Sequence, residues 1–265
     1  MSTIKVTHAE SGLVKCEVAR AARVSPHVVR VTLAGQDLER FRYPGFDQWF
    51  RLAIPVHGGD RFSNLPNRFG VGGLVRYMTM PRGTRPVIRN YTIRQYRADP
   101  AEIDVDFVVH GTPGAAAPWA ASVTPGTPVA LIDQGYGWNP ASAPRHLIVA
   151  DESGMPAALA VLRDMPRDAQ GDAVIELFDE RDRQDHEAPD GMNVRWAVRV
   201  HRAVPGASAL PMVRDIAVTS DLAAFAVGES GLATGARRYL VNERGVPKER
   251  VTFCGYWRIG RAAPG

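Results

Sequence analysis

Near residues 140–144 this 265-residue chain changes the period of its hydrophobic pattern, and one regular architecture cannot accommodate both halves. Before that point the pattern is that of strands. Val29, Val31 and Leu33 alternate with polar neighbours, and Ile103, Val105, Phe107 and Val109 alternate with Asp104, Asp106 and Val108. Trp49–Ile54 and Val129–Ile132 are short apolar runs, and Tyr43-Pro44-Gly45, Thr112-Pro113-Gly114 and Thr124-Pro125-Gly126 are turn signals between them. Such punctuation predicts an antiparallel barrel or sandwich. Residues 57–86, rich in Gly, Pro, Asn and Arg, read as a long insertion loop.

After that point apolar runs alternate with helical segments. His146–Ala150, Ala173–Phe178, Asn193–His201, Leu222–Val227 and Val251–Tyr256 read as strands. Ala157–Met165, stopped by Pro166, Ala207–Ala217 and Ser230–Asn242, closed by Gly245, read as helices. Strands alternating with helices predict a parallel sheet. The expected fold class is therefore two-domain β + α/β, an antiparallel barrel over residues 1–142 followed by a parallel-sheet α/β domain over 143–265.

Composition supports two packed cores, with 45% hydrophobic and 23% charged residues. No run of ~18 apolar residues is present, so no membrane span is expected, and the first residues lack the apolar stretch of a signal peptide, which predicts a cytoplasmic protein. Cys16 and Cys254 lie at opposite ends and the seven histidines are scattered, so no metal site is expected. The net charge of +4, carried more by Arg than by Lys, suits an anionic small molecule. Nucleic acid is disfavoured because the basic residues are spread out with no aromatic recognition motif. A monomer is expected.

Arg89-Asn90-Tyr91-Thr92-Ile93-Arg94 is the most informative stretch. On a strand Arg89, Tyr91 and Ile93 share one face, and Thr92 and Arg94 the other. A flavin needs an aromatic platform, a donor near its reactive N5 and a cation for its pyrophosphate, and these residue types supply all three. An ordinary exposed barrel strand explains the same residues. A second stretch runs from Asp104 to Gly111 and through a Thr-Pro-Gly turn into Ala115–Ala121. There Pro118 suits the first turn of a short helix whose free N–H groups form an anion site. The alternative is a plain turn in which Trp119 plugs the barrel.

Together these stretches resemble the siderophore-interacting protein family, flavin-dependent ferric-siderophore reductases within the wider ferredoxin-reductase-like fold. The resemblance covers nearly the whole chain. It is carried by Arg85–Arg94, Asp106–Gly111, Asp151-Glu152-Ser153-Gly154-Met155-Pro156-Ala157, Gly228-Glu229-Ser230 and Gly255-Tyr256-Trp257-Arg258-Ile259-Gly260. Ala117 stands where the family commonly has Ser and Pro118 where it often has Arg, which leaves backbone donors to hold a pyrophosphate there.

The resemblance implies that Arg89 pairs with the FAD pyrophosphate, Tyr91 packs on the flavin and Thr92 hydrogen-bonds near N5. Ile93, Arg94, Asp106, Phe107, Val109, His110, Gly111, Ala117, Trp119 and Ala120 would complete that cradle. Asp151, Glu152, Ser153, Met155, Pro156, Arg181 and Glu229 would hold the nicotinamide donor, NADPH or NADH, at the carboxyl edge of the sheet, where no G-x-G-x-x-G follows Val149. The acidic turn at Asp151 can also be read as a helix cap. Arg181 and Arg183 favour NADPH only weakly, because Glu180, Asp182 and Asp185 are interleaved with them. A flavin accepts a hydride and passes on single electrons, which ferric iron requires. The expected activity is thus reduction of a ferric siderophore, with Arg51, Lys248 and Arg258 as candidates for a basic acceptor pocket. The alternatives are a flavin reductase serving a protein acceptor and a non-catalytic siderophore-binding module.

Overall fold

The computed structural model describes residues 2–4, 11–56, 62, 65–68, 70–81, 83, 85–109, 114–138, 143–200 and 203–261. The first half forms seven strands: β1 (Leu13–Ser25), β2 (Val28–Ala34), β3 (Trp49–Ile54), β4 (Val87–Thr92), β5 (Gln95–Ala98), β6 (Ala101–Val108) and β7 (Pro128–Gly135). Their order is β4-β3-β7-β1-β2-β6-β5, and every pairing is antiparallel. The two edge strands, β4 and β5, are consecutive in the chain and joined only by Ile93 and Arg94. The sheet therefore has to curl until its edges meet, and the Arg94 amide donates to the Asp104 carbonyl at 2.9 Å. The result is the expected barrel.

Alternation sorts the apolar residues of these strands onto two faces. Val14, Val18, Val31, Leu33, Phe50, Leu52, Ile103, Val105 and Leu131 fill the interior. Ala53, Ile88, Ala130 and Ile132 point outward and would be wet without a cover. Residues 57–86 provide it. The expected loop contains a helix, α1 (Val71–Met78), and Phe62, Leu65, Tyr77 and Met80 pack on that outer face. Gly72 and Gly73 obscured the helical period in the sequence.

A short helix, α2 (Ala116–Ser122), lies between β6 and β7. The second half forms β8 (His146–Ala150), β9 (Gln170–Leu177), β10 (Gly191–Val198), β11 (Ala223–Glu229) and β12 (Val251–Trp257), all parallel, in the order β10-β9-β8-β11-β12. The helix α3 (Met155–Asp164) covers one face. The other face is covered by α4 (Ala209–Arg214) and α5 (Ser230–Arg238). Because both faces are covered, β11 is buried along its whole length, which explains its apolar sequence up to Glu229. The edge of β12 is met by the N-terminal residues, where the Thr3 amide donates to the Phe253 carbonyl at 3.0 Å.

The barrel exits into the second half beside Asp47. Its carboxylate is 1% exposed and accepts from the amides of Gly137 (3.1 Å) and Trp138 (2.7 Å). Burial pushes this carboxyl up to about 6, against the pull of those amides. A native pKa above the unfolded one stabilises the fold at acid pH, and this contribution is lost as pH rises through about 6. Between pH ~4 and ~7 the wild type is expected to lose on the order of 2–3 kcal/mol more unfolding free energy than Asp47→Asn, measured by urea denaturation.

Candidate active site

The end of β4 meets the end of β12. On β4, Arg89 and Tyr91 face one side of the strand, while Thr92 lies opposite Trp49 of β3 on the other. The Tyr91 ring lies 4.2 Å from that of Phe107 on β6, which in turn lies 5.5 Å from Trp119 on α2, so three elements contribute one aromatic wall. Burial holds the Tyr91 hydroxyl well above its ordinary range. The half-buried Arg89 donates to the Ile88 carbonyl at 2.7 Å, and among the described residues no carboxylate pairs with it. Thr92 lies within reach of the Tyr256 side chain of β12, whose hydroxyl burial also drives upward. This contact joins the barrel rim to the carboxyl edge of the parallel sheet.

Among the described residues, no side chain caps the N-terminus of α2, where Gly114 and three alanines leave the backbone bare. Ala117 is half-buried there and Ala120 is buried beneath it. Val109 is half-buried at the end of β6, while His110 and Gly111 lie outside the described residues.

Arg94 and Asp106 sit at the junction of the two domains. Asp106, 5% exposed, receives both ends of the Arg30 guanidinium at 2.7 and 2.8 Å and the Gln184 amide at 3.0 Å. Arg94 donates to Gln184 and to the Asp185 carbonyl, both at 3.2 Å. A cavity of about 460 Å³ opens here, lined by Arg30, Arg94, Arg163, Arg183, Leu159 and neighbouring residues. Ile93, Met155 and Pro156 belong to the packed interior, with Ile93 at 0% exposure in the barrel core and Met155 at 1% in the first turn of α3.

At the carboxyl edge of the sheet, Asp151 is fully buried and acts as a clamp. One oxygen accepts from the Ser153 amide (2.9 Å), the Ser153 hydroxyl (2.6 Å) and the Gly154 amide (3.1 Å), and the other accepts from the Glu229 amide at 2.6 Å. Asp151 thus closes the turn that leads into α3, whose N-cap Gly154 receives no side-chain cap, and it ties β8 to β11. Glu229 accepts from the Gly231 and Ile259 amides. Next to Asp151, Glu152 accepts from Arg199 at 2.9 Å, and Arg199 reaches on to Glu176, also at 2.9 Å. Burial and the charge of Asp151 raise the Glu152 carboxyl, against the pull of Arg199. Its Oε2 is buried without a partner among the described residues.

The remaining candidates are dispersed. Arg181 is exposed and forms a two-point pair with Asp179 at 3.0 and 2.7 Å. Arg51 lies opposite Asn90, on the same face of β3 and β4 as Thr92. Arg258 follows β12 at the carboxyl edge, whereas Lys248 precedes β12 in the short turn Lys248–Arg250. The length of a seven-residue strand, roughly 20 Å, separates those two, so Lys248 does not share a pocket with Arg258. Sequence reasoning missed Arg199 and Glu176, and also Asp182, which accepts from Ser25 and from the His27 amide and ring. A lone acid inside the apolar run Ala173–Phe178 was the only local sign of Glu176.

An antiparallel barrel whose rim closes on the carboxyl edge of a parallel sheet defines the ferredoxin-reductase-like class. The chain superposes at TM-score 0.63 on a Plasmodium falciparum ferredoxin-NADP+ reductase at 12% identity, covering 94% of this chain and 98% of that one. Residues 17–136 match the siderophore-interacting FAD-binding domain and residues 143–260 the siderophore-interacting protein model, and the chain belongs to the siderophore-interacting protein family. A siderophore utilization protein from T. fusca superposes at TM-score 0.77 with 27% identity, over 99% of this chain and 98% of that one. The ferric vibriobactin reductase of Vibrio cholerae is 33% identical over 92% of this chain and 89% of its own. An Escherichia coli NADPH-dependent ferric-chelate reductase is 30% identical over 91% of each.

Gly228 precedes Glu229 at φ 130°, and a Cβ there would stand 2.4 Å from Asp151 Oδ1. Gly228→Ala is expected to displace the clamp and lower stability by about 2 kcal/mol or more, read by urea unfolding.

Proposed function

We propose that this protein is an FAD-containing ferric-siderophore reductase that takes electrons from NADPH and releases Fe(II), acting as a cytoplasmic monomer with its domains divided at residues 142/143. The observation that carries the reading is the meeting of Thr92 with Tyr256. It sets the flavin strand against the edge of the sheet where α/β folds bind nucleotides. Relatives named as ferric-chelate reductases supply the acceptor class.

The residues present fit FAD. Arg89 has no carboxylate partner among the described residues, α2 offers uncapped backbone N–H groups, and Tyr91, Phe107 and Trp119 form an apolar wall. The unpartnered Glu152 Oε2 at the sheet edge fits the amide of a nicotinamide. Bound FAD supplies the conversion between two-electron and one-electron chemistry. The chain's own groups do the rest: Arg89 holds a pyrophosphate, Tyr91 shields a ring face, and Thr92 orients a donor or acceptor at the reactive edge. Asp151 and Glu229 keep the nicotinamide loop in shape. Arg51 and Arg258 attract an anionic chelate.

Purified protein with FAD should bleach under NADPH without oxygen and recover colour when ferric chelate is added, with Fe(II) trapped. Bleaching without recovery on any chelate would favour a protein acceptor instead. Arg89→Ala removes a charge-assisted bond of about 1.5–3 kcal/mol, so FAD affinity should fall about tenfold to a hundredfold by titration. Unchanged affinity removes the assignment. Charge reversal at both Arg51 and Arg258 should raise KM for a catecholate chelate while FAD binding is retained.

A further inference from the structure

The helix α1 carries an apolar stripe turned away from the protein. Val71, Leu74, Val75 and Met78 occupy positions i, i+3, i+4 and i+7, the spacing of a buried helix face. They are nonetheless 85%, 47%, 58% and 57% exposed. The helix is held in this orientation from below. Tyr77 and Met80 are sunk against the outer face of β3, β4 and β7, and the Tyr77 hydroxyl donates to the Pro86 carbonyl at 2.9 Å. A Cβ at Gly73 would stand 2.3 Å from the Arg68 carbonyl, so only glycine lets the helix pack this closely on the segment before it.

The segment that carries the stripe is rich in arginine. Residues 57–86 contain five of them (Arg61, Arg68, Arg76, Arg82 and Arg85) against the single acid Asp60. That excess of +4 equals the net charge of the whole chain, so the rest of the protein is neutral. Arg85 stacks over Tyr77 at 5.1 Å and reaches the Met78 sulfur at 3.4 Å, beside the stripe. Arg68 and Arg76 are exposed.

We propose that α1 is a peripheral docking element for an anionic phospholipid surface, its stripe entering the headgroup boundary while Arg68, Arg76 and Arg85 engage the phosphates. Short apolar side chains bordered by cations are the chemistry that such a surface recognises. A second copy of the chain fits poorly. Pairing two stripes would oppose two segments of net +4, and four side chains fall far below the roughly 20–30 residues a side of a stable interface.

The test uses full-length, FAD-loaded protein sedimented with phosphatidylglycerol/phosphatidylethanolamine vesicles and, separately, with phosphatidylcholine vesicles. Binding is expected to the anionic vesicles only and to weaken as salt is raised. The double variant Leu74→Glu, Val75→Glu and the double variant Arg68→Ala, Arg76→Ala should each weaken it at least about tenfold. Both should keep FAD content and reduction of a water-soluble ferric chelate, since α1 is outside the site described above. Absence of binding to anionic vesicles, equal binding to phosphatidylcholine, or unchanged binding by the Leu74/Val75 variant overturns the proposal. A dimer in light scattering that this variant converts to monomer would overturn it too, assigning the stripe to a second copy. Loss of chelate reduction by wild-type protein with vesicle binding retained would count against the reductase reading alone.

Discussion

The carboxylate of Asp106 stands on a barrel strand yet is buried, and a buried carboxylate is tolerated only when its oxygens are fully engaged. Arg30 on the neighbouring strand supplies two bonds, and Gln184 from the other domain supplies the third. Gln184 also accepts from Arg30 and Arg94, so one amide completes the surroundings of three charged groups. The relative position of barrel and parallel sheet follows from this requirement. With the domains held there, Arg163 of α3 donates to the Arg94 carbonyl and Asp164 accepts from the Phe46 amide. The far end of β4 is thereby brought to Tyr256.

The α/β domain uses the same device again. Asp151 ties two strand ends together, and Asp182 accepts three bonds from the turn between β1 and β2. Glu176 receives the amides of Gly206, Ser208 and Ala209 as well as Arg199, which anchors the start of α4. Each acid replaces water with several directed donors, so each holds loops at one geometry where an apolar contact would allow sliding.

The division of labour between site and scaffold follows. Tyr91 packs on Phe107 at the margin of the barrel core and Thr92 meets Tyr256, while Ile93, the very next residue, is wholly inside that core. Asp151 and Glu152 are adjacent but differ. Asp151 is saturated by its own loop and the Glu229 amide, whereas Glu152 keeps one oxygen without a partner among the described residues. Reading such stretches as uniform motifs overstates how many of their side chains face a ligand.

Architecture was legible in the sequence because it depends on local period. Alternation announced the barrel strands, and unbroken apolar runs between helices announced the parallel sheet. The candidate stretch stood out for a similar local reason, since Arg89, Tyr91 and Thr92 lie within four residues. Where α1 points was not, because the pattern of Val71, Leu74, Val75 and Met78 is that of a helix turned inward, and only the packing of Tyr77 and Met80 decided otherwise. Nor did the sequence alone reveal that Arg30, Asp106 and Gln184 meet, or that Thr92 faces Tyr256 across 164 positions. Periodicity is a property of neighbours in the chain. The pairing of buried charges is a property of neighbours in space, and only the tertiary structure decides it.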